Sequence, residues 1–108
     1  MAEKRDSRRV AFRNVVRFGP NTPPEFTSFA VDLSETGVCI KTIKVFRPGT
    51  KLYITIEFDG KPFHCEGIVM WAKKAPPSLV RHVKNGMGIR FTEVDYDLIK
   101  IYMDKLRT

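Results

Sequence analysis

The stretch Leu52-Tyr53-Ile54-Thr55-Ile56-Glu57-Phe58 alternates apolar and polar side chains with a period of two. An extended strand places Leu52, Ile54, Ile56 and Phe58 on one face, and that pattern argues a strand with one buried side. Asp59-Gly60 follows, a pair suited to a two-residue hairpin turn, and Lys61 to Ala72 supplies the returning strand.

Shorter β-like runs occupy most of the remaining chain. Phe12 to Phe18 reads as a first strand, closed by Gly19-Pro20-Asn21-Thr22-Pro23-Pro24, where glycine and proline exclude regular structure. Phe26 to Leu33 and Val38 to Thr42 follow, with Glu35-Thr36-Gly37 turning between them. After a loop holding Pro76-Pro77 and Asn85-Gly86, Met87 to Phe91 makes the last strand. The period then changes. Asp95 can cap a helix, Leu98, Tyr102 and Leu106 recur every four residues, and Lys105 and Arg107 suit its C-terminal turn, so one helix is expected from about Asp95 to Leu106. Six short strands and one terminal helix define a mainly β chain, either a small antiparallel barrel or a sandwich. Barrel closure would remove the exposed edges of so short a sheet.

A chain of 108 residues suits one domain with a modest core. A basic N-terminal arm, residues 1–10, is expected to precede a barrel with its helix over 11–108. No run is long enough to span a membrane, and the charged N-terminus lacks the apolar stretch of a secretory signal, so a cytoplasmic location is expected. Cys39 and Cys65 lie in separate apolar runs without C-x-x-C spacing, and read as small core residues, not as metal ligands or a disulfide.

The charge is uneven. The first seventeen residues hold six cations (Lys4, Arg5, Arg8, Arg9, Arg13, Arg17) against Glu3 and Asp6, a net +4 of the chain's +7. An anionic partner is implied at this end, and the preponderance of arginine favours forked contacts with phosphate and stacking on rings. Downstream, Asp32-x-Ser34-x-x-Gly37 closes the second strand. If the strand continues, Asp32 and Ser34 project together from the sheet, while Gly37 suits either a positive φ angle or a backbone that a ligand must approach closely.

The pairing of Arg5-x-x-x-Arg9 ("RDSRR") with Asp32-x-Ser34-x-x-Gly37 ("DLSETG") resembles the PilZ domain family, which binds the bacterial second messenger cyclic di-GMP. The likeness continues through "FRPGTKLYITIEF", "EGIVMWAKK" and "GMGIRF" into the terminal helix, covering almost the whole chain. It implies a six-stranded antiparallel barrel whose flexible basic arm folds over a ligand on the barrel exterior. Arg5 and Arg9 would contact phosphate and guanine, and Asp32, Ser34 and Gly37 would form the barrel side of the pocket. Arginine can fork onto phosphate or donate to guanine O6 and N7, and an ionised Asp32 suits the N1–H and N2 edge. Weaker candidates are Arg8, which either touches phosphate or stays solvated, Lys4, whose place before the motif bears on one nucleotide or a stacked pair, and Trp71, either a stacking ring or a core or barrel-rim aromatic.

If the arm is disordered without ligand, fixing six residues costs roughly 6 to 12 kcal/mol of backbone entropy. A charge-assisted hydrogen bond contributes about 1.5 to 3 kcal/mol, so stacking must help the two arginines. The expected function is a non-catalytic cyclic di-GMP receptor, needing no cofactor or metal, that signals to a downstream protein through its reordered arm. His64 and His82 lack ligand-like neighbours, and Asp95, Asp97 and Asp104 read as a cap and solvated helix charges. Neither set suggests an enzyme. The terminal helix or nearby barrel surface is the expected contact for a partner or a second copy in a homodimer. Two rival classes are a small barrel binding single-stranded nucleic acid, the less favoured partner, and a PilZ-like interaction module without nucleotide binding.

Overall fold

The computed structural model describes residues 8–74 and 85–107. Lys4, Arg5, Pro76-Pro77 and His82 lie outside the described residues. Six strands and a helix follow in order: β1 (Val10–Gly19), β2 (Phe26–Leu33), β3 (Gly37–Lys41), β4 (Lys51–Phe58), β5 (Lys61–Lys73), β6 (Gly86–Val94) and α1 (Tyr96–Arg107).

The sheet closes into an antiparallel barrel ordered β1-β2-β3-β6-β5-β4. Pairing of β1 with β4, with Val16 opposite Ile56 and Phe18 opposite Ile54, decides between barrel and sandwich by leaving no unpaired edge. The β4–β5 hairpin turns at Asp59 and Gly60, both with positive φ, as the Asp-Gly pair requires. Several strands outrun their apolar stretches. β6 extends to Val94 opposite Cys65, and β1 begins at Val10 opposite Leu33, because the backbone ladder continues past the last core side chain. Asp95 caps α1, accepting from the Asp97 N–H at 2.9 Å.

Alternation fills the barrel. Phe12, Val16 and Phe18 of β1 and Leu52, Ile54 and Ile56 of β4 all point inward and are buried. Each such side chain contributes about 1.5 to 3 kcal/mol when fully buried. At one end α1 inserts Leu98 and Tyr102, both fully buried, beside the stacked Phe12 and Phe58 rings at 5.7 Å. At the other, Phe18, Phe26 and Phe46 pack at 5.8 to 6.4 Å, with the Lys44 ammonium over two of the rings. A barrel filled in this way leaves its outer surface for ligands.

The same alternation corrects one expectation. Cys65 is buried, but Cys39 lies between the inward-facing Val38 and Ile40, so it sits half-buried on the outer face of β3. A cysteine inside an apolar run becomes a surface group when the run is a strand whose neighbours face the core.

Candidate functional site

Two segments distant in sequence meet on that outer face. Arg9 immediately precedes β1, Asp32 lies one residue from the end of β2, and Ala11 of β1 pairs with Asp32. An Arg9 guanidinium nitrogen stands 3.0 Å from Asp32 Oδ1, with both side chains about a third exposed. Among the described residues no hydrogen bond of good geometry reaches this buried oxygen. The contact is therefore an ion pair with poor directionality, which leaves Asp32 with acceptor capacity. A pair between partly exposed, solvent-screened side chains is worth about 0.2 to 1 kcal/mol, so a ligand can replace it at small cost.

Ser34 does not project beside Asp32. β2 ends at Leu33, and the chain curls so that Ser34, 1% exposed, caps its own turn. Its Oγ accepts from the Thr36 and Gly37 N–H groups at 3.2 and 3.1 Å, and its own N–H donates to the Gly37 carbonyl at 2.9 Å. This serine turn satisfies backbone donors that the strand no longer serves. Phe91 N–H, donating to the Thr36 carbonyl at 2.8 Å, ties the turn to β6.

The structure overturns one of the two sequence expectations for Gly37 and supplies a further reason for it. Its φ is not positive. A Cβ there would lie 2.2 Å from the Ile89 carbonyl oxygen, so glycine allows β3 to approach β6 where Gly37 pairs with Arg90.

From Asp32 the outward row runs through Cys39 and Gly88 to Trp71, paired strand to strand. Three strand spacings put Trp71 about 14 Å from Asp32 along the backbone. Its half-exposed indole (48%) lies on Gly88, where a Cβ would meet the indole nitrogen at 2.0 Å. A recess of about 600 Å³ opens here, lined by Arg13, Lys41, Lys73, Cys39 and Trp71 among others, with no carboxylate in its wall among the described residues. A slightly larger recess, about 700 Å³, lies elsewhere on the barrel and bears Glu66, Glu93 and Asp95 against Arg17. Size favours the second for a ligand; charge favours the first for an anionic one, and the partly exposed Arg9–Asp32 pair stands on the same face.

Burial raises the Cys39 thiol from 9.0 to about 11, with Arg9 opposing and Asp32 reinforcing that shift. It therefore stays protonated near neutrality and faces Asp32 as a weak donor. Sequence reasoning missed Cys39 as a neighbour of the site, although its place between two core residues of a short strand was a usable signal. It also missed Tyr102, whose hydroxyl donates to the Arg8 carbonyl at 2.6 Å across 94 residues. Nothing local to the helix reveals that contact.

The PilZ domain family model matches residues 3–103, spanning both motif segments, the barrel and most of α1. The chain belongs to the PilZ domain family. PilZ domains are cyclic di-GMP-binding modules. A solved structure described as the Bacillus subtilis inhibitor of motility (MotI/DgrA) superposes with a TM-score of 0.72 at 17% identity, covering 93% of this PilZ chain and 48% of that one. This PilZ domain thus spans about half the length of that protein, and the likeness is one of fold. No curated protein matches the PilZ chain in sequence. Among the described residues no group of three or more His, Cys, Asp or Glu side chains could hold a metal ion, and no helix is long and apolar enough to cross a membrane.

Proposed function

We propose that this PilZ domain is a non-catalytic, cytoplasmic cyclic di-GMP receptor. Its nucleotide lies on the barrel exterior, with Arg5 and Arg9 over phosphate and guanine. Asp32 accepts from a guanine edge, and Ser34 and Gly37 hold the turn that supports it. The observation carrying this reading is the Arg9–Asp32 contact at 3.0 Å, which joins the two halves of the binding motif, with a buried carboxylate oxygen still short of a well-directed donor. Guanine N1–H and N2–H are such donors, and arginine released from Asp32 can fork onto phosphate. Each charge-assisted bond contributes about 1.5 to 3 kcal/mol, more than the exposed ion pair it replaces.

Lys4 and Arg8 are secondary phosphate contacts, and Trp71 supplies a ring at the far end of the outward row. Binding draws the basic arm over the nucleotide and alters the surface that a downstream protein, or a second copy of the chain, meets at the arm and the neighbouring helix. Isothermal titration with cyclic di-GMP tests the reading on the wild-type chain, Arg9→Ala and Asp32→Ala. Heat with wild type and weakened binding by both variants is expected. No wild-type binding overturns the receptor assignment, whereas undiminished binding by both variants overturns the site.

The basic recess lined by Arg13, Lys41 and Lys73, together with Trp71, favours single-stranded nucleic acid as the second reading. That reading requires tight binding of long polynucleotides with a steep loss of affinity as salt rises. A guanine-selective site for a dinucleotide with only two phosphates loses much less.

A further inference from the structure

Arg8, just before β1, is held by the C-terminal helix. Tyr102 lies on the buried side of α1 and is fully enclosed, yet its hydroxyl reaches the edge of the core and donates to the Arg8 carbonyl at 2.6 Å. Arg8 directly precedes Arg9, whose guanidinium meets Asp32. Burial raises the Tyr102 phenol, with Glu35 of the β2–β3 turn adding to the effect and Arg8 and Arg9 opposing it. The hydroxyl thus lies within electrostatic reach of both segments that carry the binding motif.

We infer that Tyr102 is a positioning residue for the nucleotide site: its hydroxyl fixes the backbone at Arg8, so that Arg9 is presented to the outer face of the barrel whenever α1 is docked. This rests on the receptor reading above and adds to it a specific link between helix and ligand. The phenol ring is held by the core, so its oxygen is a fixed acceptor-seeking point and not a flexible tether. Residues 8 and 9 precede the β1 ladder and have no strand partner of their own, so the hydroxyl is their main backbone restraint from α1. Because binding and helix docking share this bond, each favours the other by the same factor. A partner that pulls α1 from the barrel end therefore loosens the arm and weakens nucleotide binding. Nucleotide binding in turn strengthens the docking of α1.

Tyr102→Phe removes the oxygen and keeps the ring, and Phe18→Leu, in the aromatic cluster at the opposite end of the barrel, serves as a control of lowered stability that leaves the arm alone. Cyclic di-GMP affinity is measured by titration, and backbone amide order parameters at Arg8 and Arg9 are measured by NMR relaxation without nucleotide. Tyr102→Phe is expected to bind about 5- to 30-fold more weakly, the ordering entropy of one residue, and to show lower order parameters at Arg8 and Arg9. Phe18→Leu is expected to match wild type in both. Wild-type affinity in Tyr102→Phe, or unchanged order parameters at these amides, overturns the inference, as does equal weakening by Phe18→Leu. Absence of binding by the wild-type chain overturns the receptor reading instead, and the order-parameter comparison then still decides whether the hydroxyl holds the backbone at Arg8.

Discussion

The two halves of the proposed nucleotide site are built differently. The β2–β3 turn is held by bonds within itself and to β6: Ser34 is buried, its oxygen takes two backbone N–H groups, and Gly37 lies against the Ile89 carbonyl with no room for a side chain. The arm at Arg8 and Arg9 is held by contacts made across the fold, one ion pair to Asp32 and one hydrogen bond from Tyr102. A ligand can replace the Arg9–Asp32 pair of the second at low cost while the Tyr102 bond stays, whereas the first must stay as it is for the barrel to close. Rigidity on one side and replaceable contacts on the other let binding change the protein without unfolding it.

The contrast predicts that changes in the turn cost stability while changes in the arm cost affinity. Gly37→Ala should have the largest effect. Its Cβ is driven against backbone, which a side-chain rotation cannot relieve, and a loss of about 3 kcal/mol, or more than about 10 °C in thermal midpoint, is expected. A melting curve within about 2 °C of wild type would mean that the strands separate easily there, and the turn would no longer count as the rigid half.

Arg9→Ala and Asp32→Ala come next, with cyclic di-GMP affinity lowered about 10- to 150-fold by loss of one charge-assisted bond each. For Arg9→Ala the thermal midpoint should barely move, since an exposed pair contributes about 0.2 to 1 kcal/mol. A large drop in midpoint for that variant breaks the contrast from the arm side. Ser34→Ala removes the oxygen that accepts from the buried Gly37 N–H and from the Thr36 N–H, and should cost about 1 to 3 kcal/mol of stability in denaturant unfolding. If it lowers affinity and leaves stability intact, Ser34 acts on the ligand directly and not through the turn.

The smallest effect is one of pH. Burial raises the thiols of Cys39 to about 11 and Cys65 to about 12, in each case from 9.0. The folded state favours the neutral thiol, so this contribution is fully present below pH 9 and is lost as pH rises through 11 to 12. Thermal midpoints should be level between pH 7 and about 9 and decline above it. Cys65→Ala should make that decline shallower, and Cys39→Ala should do so to a lesser degree, since Cys39 is only half-buried. An unaltered slope in both variants would assign the alkaline loss to other groups.

Much of this arrangement was legible in the chain itself. Alternation across Leu52 to Phe58, the Asp59-Gly60 turn and the four-residue spacing of Leu98, Tyr102 and Leu106 are local signals, because strand and helix periodicities are set by neighbouring residues. With the shorter β-like runs and the turn residues between them, they located all six strands, the helix and its Asp95 cap. The motif residues Arg9 and Asp32 were legible as a pair only through resemblance, and the fold brings them together. What was misjudged concerned direction: Ser34 turns inward because β2 stops at Leu33, and Cys39 turns outward because its two neighbours face the core.

The sequence by itself determined that this chain would be mainly β, with six short strands, a basic arm and a terminal helix, since composition and short-range periodicity suffice for those, and its motif residues carried the resemblance to the PilZ family. Only the tertiary structure decided that β1 meets β4, that Gly37 is required by the Ile89 carbonyl, and that Tyr102 grips the arm at Arg8. Each of these is a contact between residues far apart in the chain, and no local pattern records which distant backbone a side chain will meet once the barrel has closed.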